Sequence, residues 1–447
     1  MRGSQNAKRK TLMAPNSFYD TYDCGILNFW YTNNYGALLN CYALQESIKK
    51  LGLTPKVINY ISQKYLHNFE NSLSDTFSKK YLQLTRLCTS KEDLEKLNEE
   101  TSIFVVGSDQ VWRYKYNYWQ GKNIFQFNFA KTTAKKIAYA ASFGTDKFEG
   151  GQLDTALAKY YMQRFDAISV REDDGVDICR RTFDVAATHV LDPVFLPEVK
   201  DWNKLIDNSN CKDKDFIASY VLDKSAHTDK LIDMAGKKTG IKKTINMVNA
   251  QGNKNCKQNV EDWLYTIKNC RFFITDSFHG ACFAIIFNKP FICLANISRG
   301  YSRFKSLFKV FGLENRCVFN ADDIENNRDL FGEIDYSAVN AILKSEKERS
   351  LNWLKKALNA PKQERNPSQS QLDDIMNIVQ ELFSSNCDNA TRMYQNVNLI
   401  LRYPSLRQKY LLYKILSKIT FGKTRKKYKQ KKKELKAKLR LIKHYKG

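Results

Sequence analysis

The sequence predicts an α/β protein built on doubly wound parallel sheets, and three observations predict it. Short apolar runs end in polar loops and lead into amphipathic helical stretches, in the order strand, loop, helix, strand. The same plan occurs in both halves of the chain, around 24–60 and again around 272–295. The 447 residues are 43% hydrophobic and 13% aromatic, which is too long for one ordinary core and far too aromatic for a disordered chain.

Taken in order, the run CGILNFW (Cys24–Trp30) reads as a buried strand followed by the polar turn YTNNYG. Ala37, Leu38, Cys41, Tyr42, Leu44 and Ile48 then recur at helical spacing up to Gly52, and KVINY supplies the next strand. Residues 61–100 are polar, with a helix expected at Lys91–Asn98. Three more strands are expected: Ile103–Val106 before Gly107, Ile137–Ala141 before Ser142, and Ala167–Val170 before Arg171. HVLDPVFLP closes this half, and its Pro193 and Pro197 suit a domain boundary. DFIASYVL, TINMV and FFITDSFHGACFAIIFNKPFICLA build the second half, followed by helices at Ala338–Leu358 and Gln371–Phe383. The expected organisation is therefore a flexible start at 1–20, domains at 21–197 and 212–360, a linker and helix at 361–389, and a tail at 390–447. No internal repeat of roughly 20–50 residues is evident.

Several classes drop out early. No apolar run reaches about 18 residues, so no membrane-spanning helix is expected. The start MRGSQNAKRK lacks the apolar segment of a secretory signal. Eleven cysteines without CxxC spacing point to buried thiols in a reducing compartment, and hence to the cytoplasm. HExxH, GxSxG and Walker patterns are absent. Asp213 and Asp215 form a DxD in a lysine-flanked polar stretch that reads as a surface loop. Neither a metal nor a cofactor is expected.

The formal net charge of +25 is concentrated at one end. Leu401–Gly447 holds 18 Lys or Arg against the single acid Glu434, leaving +8 for the other 400 residues. Leu406–Phe421 reads as an amphipathic helix, with Arg407, Lys414 and Lys418 on one face and Leu412, Ile415, Leu416 and Ile419 roughly opposite. A basic run follows Gly422. Residues 406–447 are expected to meet the anionic inner face of a membrane. A solvated tail is the plainer alternative. Nucleic acid is not an expected partner, because no reader module accompanies the charge.

In doubly wound sheets ligands sit beyond the carboxyl ends of the strands. The sharpest loop there is Thr275-Asp276-Ser277-Phe278-His279-Gly280. Ser277 suits an N-cap, which leaves His279 and Gly280 in the first turn, where free N–H groups and the helix dipole favour an anion. A histidine beside a bound anion can hold a proton and deliver it. Arg171, at a strand's carboxyl edge, offers a fork of donors to a planar oxyanion. Asn34, Tyr35 and Gly36 form a turn that could present backbone N–H groups. Ser108, Asp109, Gln110 and Trp112 could hold a sugar, polar groups meeting hydroxyls and a ring meeting the apolar face. Ser142 ends another strand. Each has a plain counterpart: a structural histidine, a boundary salt bridge, a capping aspartate, a core tryptophan.

In sequence order the segments NNYGALLNCYALQ, FVVGSDQVW, YAASFG, SVRE, LDPVFL, TDSFHGACFAIIFNKPF and RGYSRFKSLFKVFGL resemble the polysaccharide pyruvyl transferase family, over about residues 20–345. The resemblance implies two Rossmann-like domains facing a cleft, similar to the glycosyltransferase B architecture. It implies phosphoenolpyruvate as donor, a sugar acceptor that can be lipid-linked, and a cyclic pyruvate ketal as product in surface (capsule or exopolysaccharide) assembly. It maps donor-holding roles onto Arg171 and His279. Ser277 stands where members of the family carry arginine, so either Arg303 completes the pocket or the donor differs. The rival enzyme on the same architecture is a glycosyltransferase using a nucleotide sugar; the non-enzymatic rival is a membrane- or nucleic-acid-bound scaffold.

Overall fold

The computed structural model describes residues 21–117, 123–224, 226–248, 259–295, 300–319 and 330–365, together with 375, 377, 429, 430 and 433. Nearly all of the expected basic tail and of the helix expected at Gln371–Phe383 lies outside the described residues.

Among the described residues, eleven strands form two parallel sheets. The first holds β1 (Cys24–Leu27), β2 (Pro55–Val57), β3 (Ile103–Val106), β4 (Lys135–Ala141), β5 (Ala167–Val170) and β6 (Thr188–His189) in the order 2-1-3-4-5-6. The second holds β7 (Ile217–Tyr220), β8 (Thr244–Asn246), β9 (Phe272–Thr275), β10 (Phe291–Leu294) and β11 (Cys317–Val318) in the order 11-10-9-7-8. Counted from its own first strand, the second sheet repeats the 2-1-3-4-5 order of the first. Each sheet therefore reverses direction once, between β1 and β3 and between β7 and β9, and such switch points leave a crevice above the strand ends.

The helices are α1 (Tyr35–Lys50), α2 (Gln63–Leu66), α3 (Leu73–Tyr81), α4 (Lys91–Lys96), α5 (Tyr114–Asn117), α6 (Gln152–Met162), α7 (Asp173–Phe183), α8 (Val199–Ile206), α9 (Ala226–Thr239), α10 (Val260–Asn269), α11 (Phe278–Ile286), α12 (Tyr301–Phe311) and α13 (Tyr336–Asn359). The chain is thus two Rossmann-like domains. The first strand stops at Leu27, three residues short of the expected end. Asn28 turns inward there, and its side chain accepts from the Phe29 N–H (2.6 Å) and donates to Asn40 (2.8 Å).

One apolar core runs through both domains. It gathers Leu38, Cys41 and Tyr42 of α1 with Trp202 of α8, Trp263 of α10 and Phe283 of α11. Trp202 meets Phe283 edge-on at 5.0 Å, and Tyr35 of α1 stacks on Trp263 at 5.4 Å and 12°. Pro193 and Pro197 suit a domain boundary by sequence. Pro193 begins a buried 3-10 turn, Pro193–Phe195, whose Val194 and Phe195 belong to this shared core. Among the described residues two further cores are formed, one built on Trp112, Phe127 and Phe165 and the other on Leu231, Ile274 and Ile292. Helix α13 returns from the second domain to the first. Its Trp353 packs on Tyr139 of β4, Ser350 receives the Leu191 N–H (3.0 Å), and its last carbonyls are met by Lys135 of β4, a favourable cation at a helix C-terminus.

Candidate active site

The two switch points face one another across a cavity of about 380 Å³. Loops after β1, β3, β7 and β9 supply most of its wall: Phe29, Asn34, Asp109, Gln110, Leu222 and the run Asp276–His279. Arg303 of α12 completes the floor. Tyr65 and Tyr116 stand at the wall as well, and with Leu222 they are unusually exposed for large apolar side chains.

The loop after β9 folds as its sequence suggests. Ser277 has extended backbone and accepts the Gly280 N–H (3.3 Å), so α11 begins at Phe278 with its free amides toward the cavity. His279 is 5% exposed and lines the cavity. Its ring lies over Gly36, where a Cβ would stand 2.0 Å from Nδ1, so only glycine lets the first turn of α1 approach. Asp276 lines the cavity, yet its two oxygens accept the Leu222 and Asp223 N–H groups (2.8 Å each) and so hold the loop after β7 in place.

Asp109 reaches the cavity through a strained turn. Its φ of 76° is in the left-handed region, and Ala140 opposite has φ 50° where β4 bulges between Ala138 and Ala141. Burial favours the neutral Asp109 carboxyl. The charges of Arg171, His279 and Arg303 outweigh burial and hold it below the usual carboxylate range. Gln110 lines the cavity and accepts from Arg113 (2.9 Å).

Arg171 does not line the cavity. Its side chain is 1% exposed, donating to Asp192 at 2.7 Å and reaching Asp109 at 3.5 Å. Its guanidinium lies 4.3 Å from the Phe278 ring centre, and Arg303 lies 5.2 Å from the same ring. Burial, reinforced by the nearby Arg171 charge, lowers the Arg303 pKa to about 10. An anion entering beside Arg303 relieves both effects. The cationic wall expected of Arg171 therefore falls to Arg303, with Arg171 beneath it.

Other expected binders are placed elsewhere. Trp112 is fully buried against Phe143 and Phe165, and its indole donates to the Phe125 carbonyl (3.1 Å); it is core and cannot stack on a sugar. Tyr35 is spent on Trp263, and Asn34 caps α1 through the Ala37 N–H (3.2 Å) while still lining the cavity. Ser108 is buried and donates to Asp192 (2.9 Å). Ser142 is fully buried beside Glu172. Gly280 makes room for Thr275, whose Oγ1 would sit 2.4 Å from a Cβ there, and not for a ligand. Asp213 and Asp215 pair with Lys243 and Arg271 at the surface.

Sequence reasoning missed Asp192, Phe278 and the mouth residues Tyr65, Tyr116 and Leu222. Asp192 sits in the LDPVFL segment, which carries the family resemblance but no local sign of its contact with Ser108, 84 residues away; Tyr65, Tyr116 and Leu222 come from segments with no signal at all.

The profile of the polysaccharide pyruvyl transferase family matches residues 34–298. A search of the curated proteins finds no match. Among solved structures, the glycotransferase of kitacinnamycin superposes with a TM-score of 0.45 at 9% identity, over 75% of this chain and 99% of the other. The UDP-N-acetylglucosamine 2-epimerase from Rickettsia bellii gives 0.42 at 12%, over 75% and 98%. The UDP-GlcNAc 2-epimerase from Neisseria meningitidis gives 0.40 at 10%, over 74% and 99%. Likenesses this distant carry no argument about function. The family match spans more than half of the sequence and takes in the loops after β3, β7 and β9 with His279, and on that ground the chain belongs to the polysaccharide pyruvyl transferase family.

Proposed function

We propose that this protein moves the enolpyruvyl group of phosphoenolpyruvate onto a pair of sugar hydroxyls, forming a cyclic ketal and releasing phosphate during surface polysaccharide biosynthesis. The observation that carries this reading is that His279 and Arg303 face one cavity at the N-terminus of α11. Arg303 and the free amides of α11 meet the donor's anionic groups. His279 delivers a proton to the enol methylene, which leaves the central carbon electrophilic. One hydroxyl adds there, its proton passing to Asp109, which lines the same cavity and is held ionised. The second hydroxyl then displaces phosphate, giving its proton back to His279, while the proton held by Asp109 leaves with the phosphate, whose departing charge Arg303 stabilises.

The test is calorimetry with phosphoenolpyruvate, which needs no knowledge of the acceptor. Saturable binding is expected for the wild type, weakened at least tenfold in Arg303→Met and also reduced in His279→Ala. Binding of a nucleotide sugar with none of phosphoenolpyruvate overturns the reading in favour of a glycosyltransferase. Once an acceptor is in hand, His279→Ala should lose about 10²–10⁴-fold in turnover, the usual contribution of a positioned acid.

No described helix is long and apolar enough to cross a membrane. We place the enzyme in the cytoplasm at the inner membrane face, held there by residues 406–447. Each Lys or Arg near an anionic leaflet contributes about 1 kcal/mol, and lipid-linked acceptors would be met at that surface. Removal of 406–447 should abolish sedimentation with anionic vesicles while sparing donor binding; unchanged sedimentation refutes the membrane role.

A further inference from the structure

Asp192 lies in the segment that joins the two domains, and its side chain is 0% exposed. A bare carboxylate at such a depth is costly, so what surrounds it must be built for it. Oδ2 receives Arg171 Nη1 at 2.7 Å, Ser108 Oγ at 2.9 Å and Asn40 Nδ2 at 3.0 Å. Oδ1 receives Asn40 Nδ2 at 3.0 Å and the Val194 N–H at 3.1 Å. Asn40 is itself turned by Asn28, which donates to its carbonyl oxygen at 2.8 Å. These donors come from the loops after β5 and β3, from α1 and from the Pro193–Phe195 turn next to Asp192 itself. From the second domain His279 meets Asp192, with Nε2 at 3.5 Å from Oδ2.

That distance is about 0.6 Å longer than an N–H···O bond, and Nε2 is buried without a hydrogen-bond partner. The other face of the ring is fixed, because Nδ1 lies over Gly36. The remaining charges around the ring are Asp109, Arg171 and Arg303. A small approach of the two domains turns the 3.5 Å contact into a charge-assisted hydrogen bond, as catalytic contacts tighten when a site is loaded.

We propose that Asp192 is a positioning residue acting through His279: it holds the proton on Nε2, sets the plane of the imidazole, and pairs the two domains when the cavity is filled. With Nε2–H directed at Asp192, Nδ1 is the ring nitrogen left for proton exchange. The same carboxylate anchors Arg171 under Phe278. The consequence for catalysis rests on the pyruvyl-transfer reading; the His279–Asp192 pairing does not.

The experiment uses the full chain with ¹⁵N-labelled histidine. There are five histidines, so the His279 signals are those lost in His279→Gln. In the free wild type the imidazole should show the Nε2-protonated pattern, and saturation with phosphoenolpyruvate should shift the Nε2–H proton downfield. Asp192→Asn should abolish the downfield shift, mix the tautomers and weaken phosphoenolpyruvate at least tenfold. Should Asp192→Asn leave Arg171 too poorly compensated to fold, the paired replacement Arg171→Met with Asp192→Asn removes both charges and is read in the same way. Wild-type tautomer and Nε2 shifts in either folded variant overturn the proposal. If the wild type binds no phosphoenolpyruvate, the tautomer comparison in the free protein still decides on Asp192, and only the pyruvyl-transfer reading fails.

Discussion

Gly36 and Glu172 show how single positions set up the site. At Gly36 a methyl group would stand 2.0 Å from His279 Nδ1, so alanine must drive the imidazole off its seat. Gly36→Ala is expected to cost about 1–3 kcal/mol by overpacking. It should weaken donor binding at least as strongly as His279→Ala, and melting curves with calorimetry check both. Glu172 is buried beneath Phe143 and Gly144, whose N–H groups its Oε1 accepts (2.7 and 3.0 Å). Burial pushes its pKa up, and the Arg171 charge and these hydrogen bonds do not cancel that. The sign follows. A carboxyl with a raised folded pKa adds stability below its unfolded value, near 4.3, and loses it as pH rises through the folded value. Glu172→Gln keeps an acceptor for both N–H groups, so its melting temperature at pH 7 should equal or exceed that of the wild type. The difference should move in the wild type's favour toward pH 4; a variant that loses more at pH 7 than at pH 4 contradicts this account. Asp192 has the opposite sign. His279 and Arg171 overcome its burial and hold it well below the carboxylate range, so its contribution is present at neutral pH and lost under strong acid.

At the scale of elements, α1 and α10 form the seam between the domains. Trp263 is fully buried, stacked on Tyr35 and edge-on to Tyr220 and Phe283. Trp263→Ala should cost about 3–5 kcal/mol, the range for a buried tryptophan truncated in a core. Denaturant unfolding measures that directly. Gly300 shows a second seam: its φ is 101°, and a Cβ there would meet the Gly144 carbonyl at 2.8 Å and Gln110 Oε1 at 2.9 Å. The start of α12 thus presses on the first domain and carries Arg303 to the floor of the cavity. Gly300→Ala is both strained and crowded, and phosphoenolpyruvate affinity should fall with it while the far face of the molecule is unaffected.

Across the whole molecule, one apolar core joins two sheets of the same strand order. Helix α13 ties the second domain back to β4, and the Pro193–Phe195 turn is buried between them. Two domains that share a core unfold together. Scanning calorimetry should give one transition for the wild type, and one lowered transition for Trp263→Ala. Two resolved peaks would show that the domains are energetically separate and that the shared core counts for little.

Local pattern determined much of this protein. Strands of four apolar residues, the N-cap at Ser277 and the loops that line the cavity were legible because period and capping chemistry act over a few residues, whereas the turn expected at Asn34–Gly36 proves to be an N-cap at Asn34 followed by the first turn of α1. The histidine and its helix start were legible for the same reason. Tertiary structure decided what those loops do. Trp112 and Tyr35 have the chemistry of sugar binders, and neither the strand end nor the turn says that one ring fills an outer core and the other stacks across the domain seam. Arg171 and Arg303 are both arginines at promising positions, and only packing puts the first beneath Phe278 and the second on the cavity wall. Asp192 carries little local signal, because its role consists of contacts 152 residues back in sequence, to Asn40, and across the domain seam to His279. Such contacts depend on how two sheets meet, which is settled by the burial of shared apolar surface and not by any short run of residues.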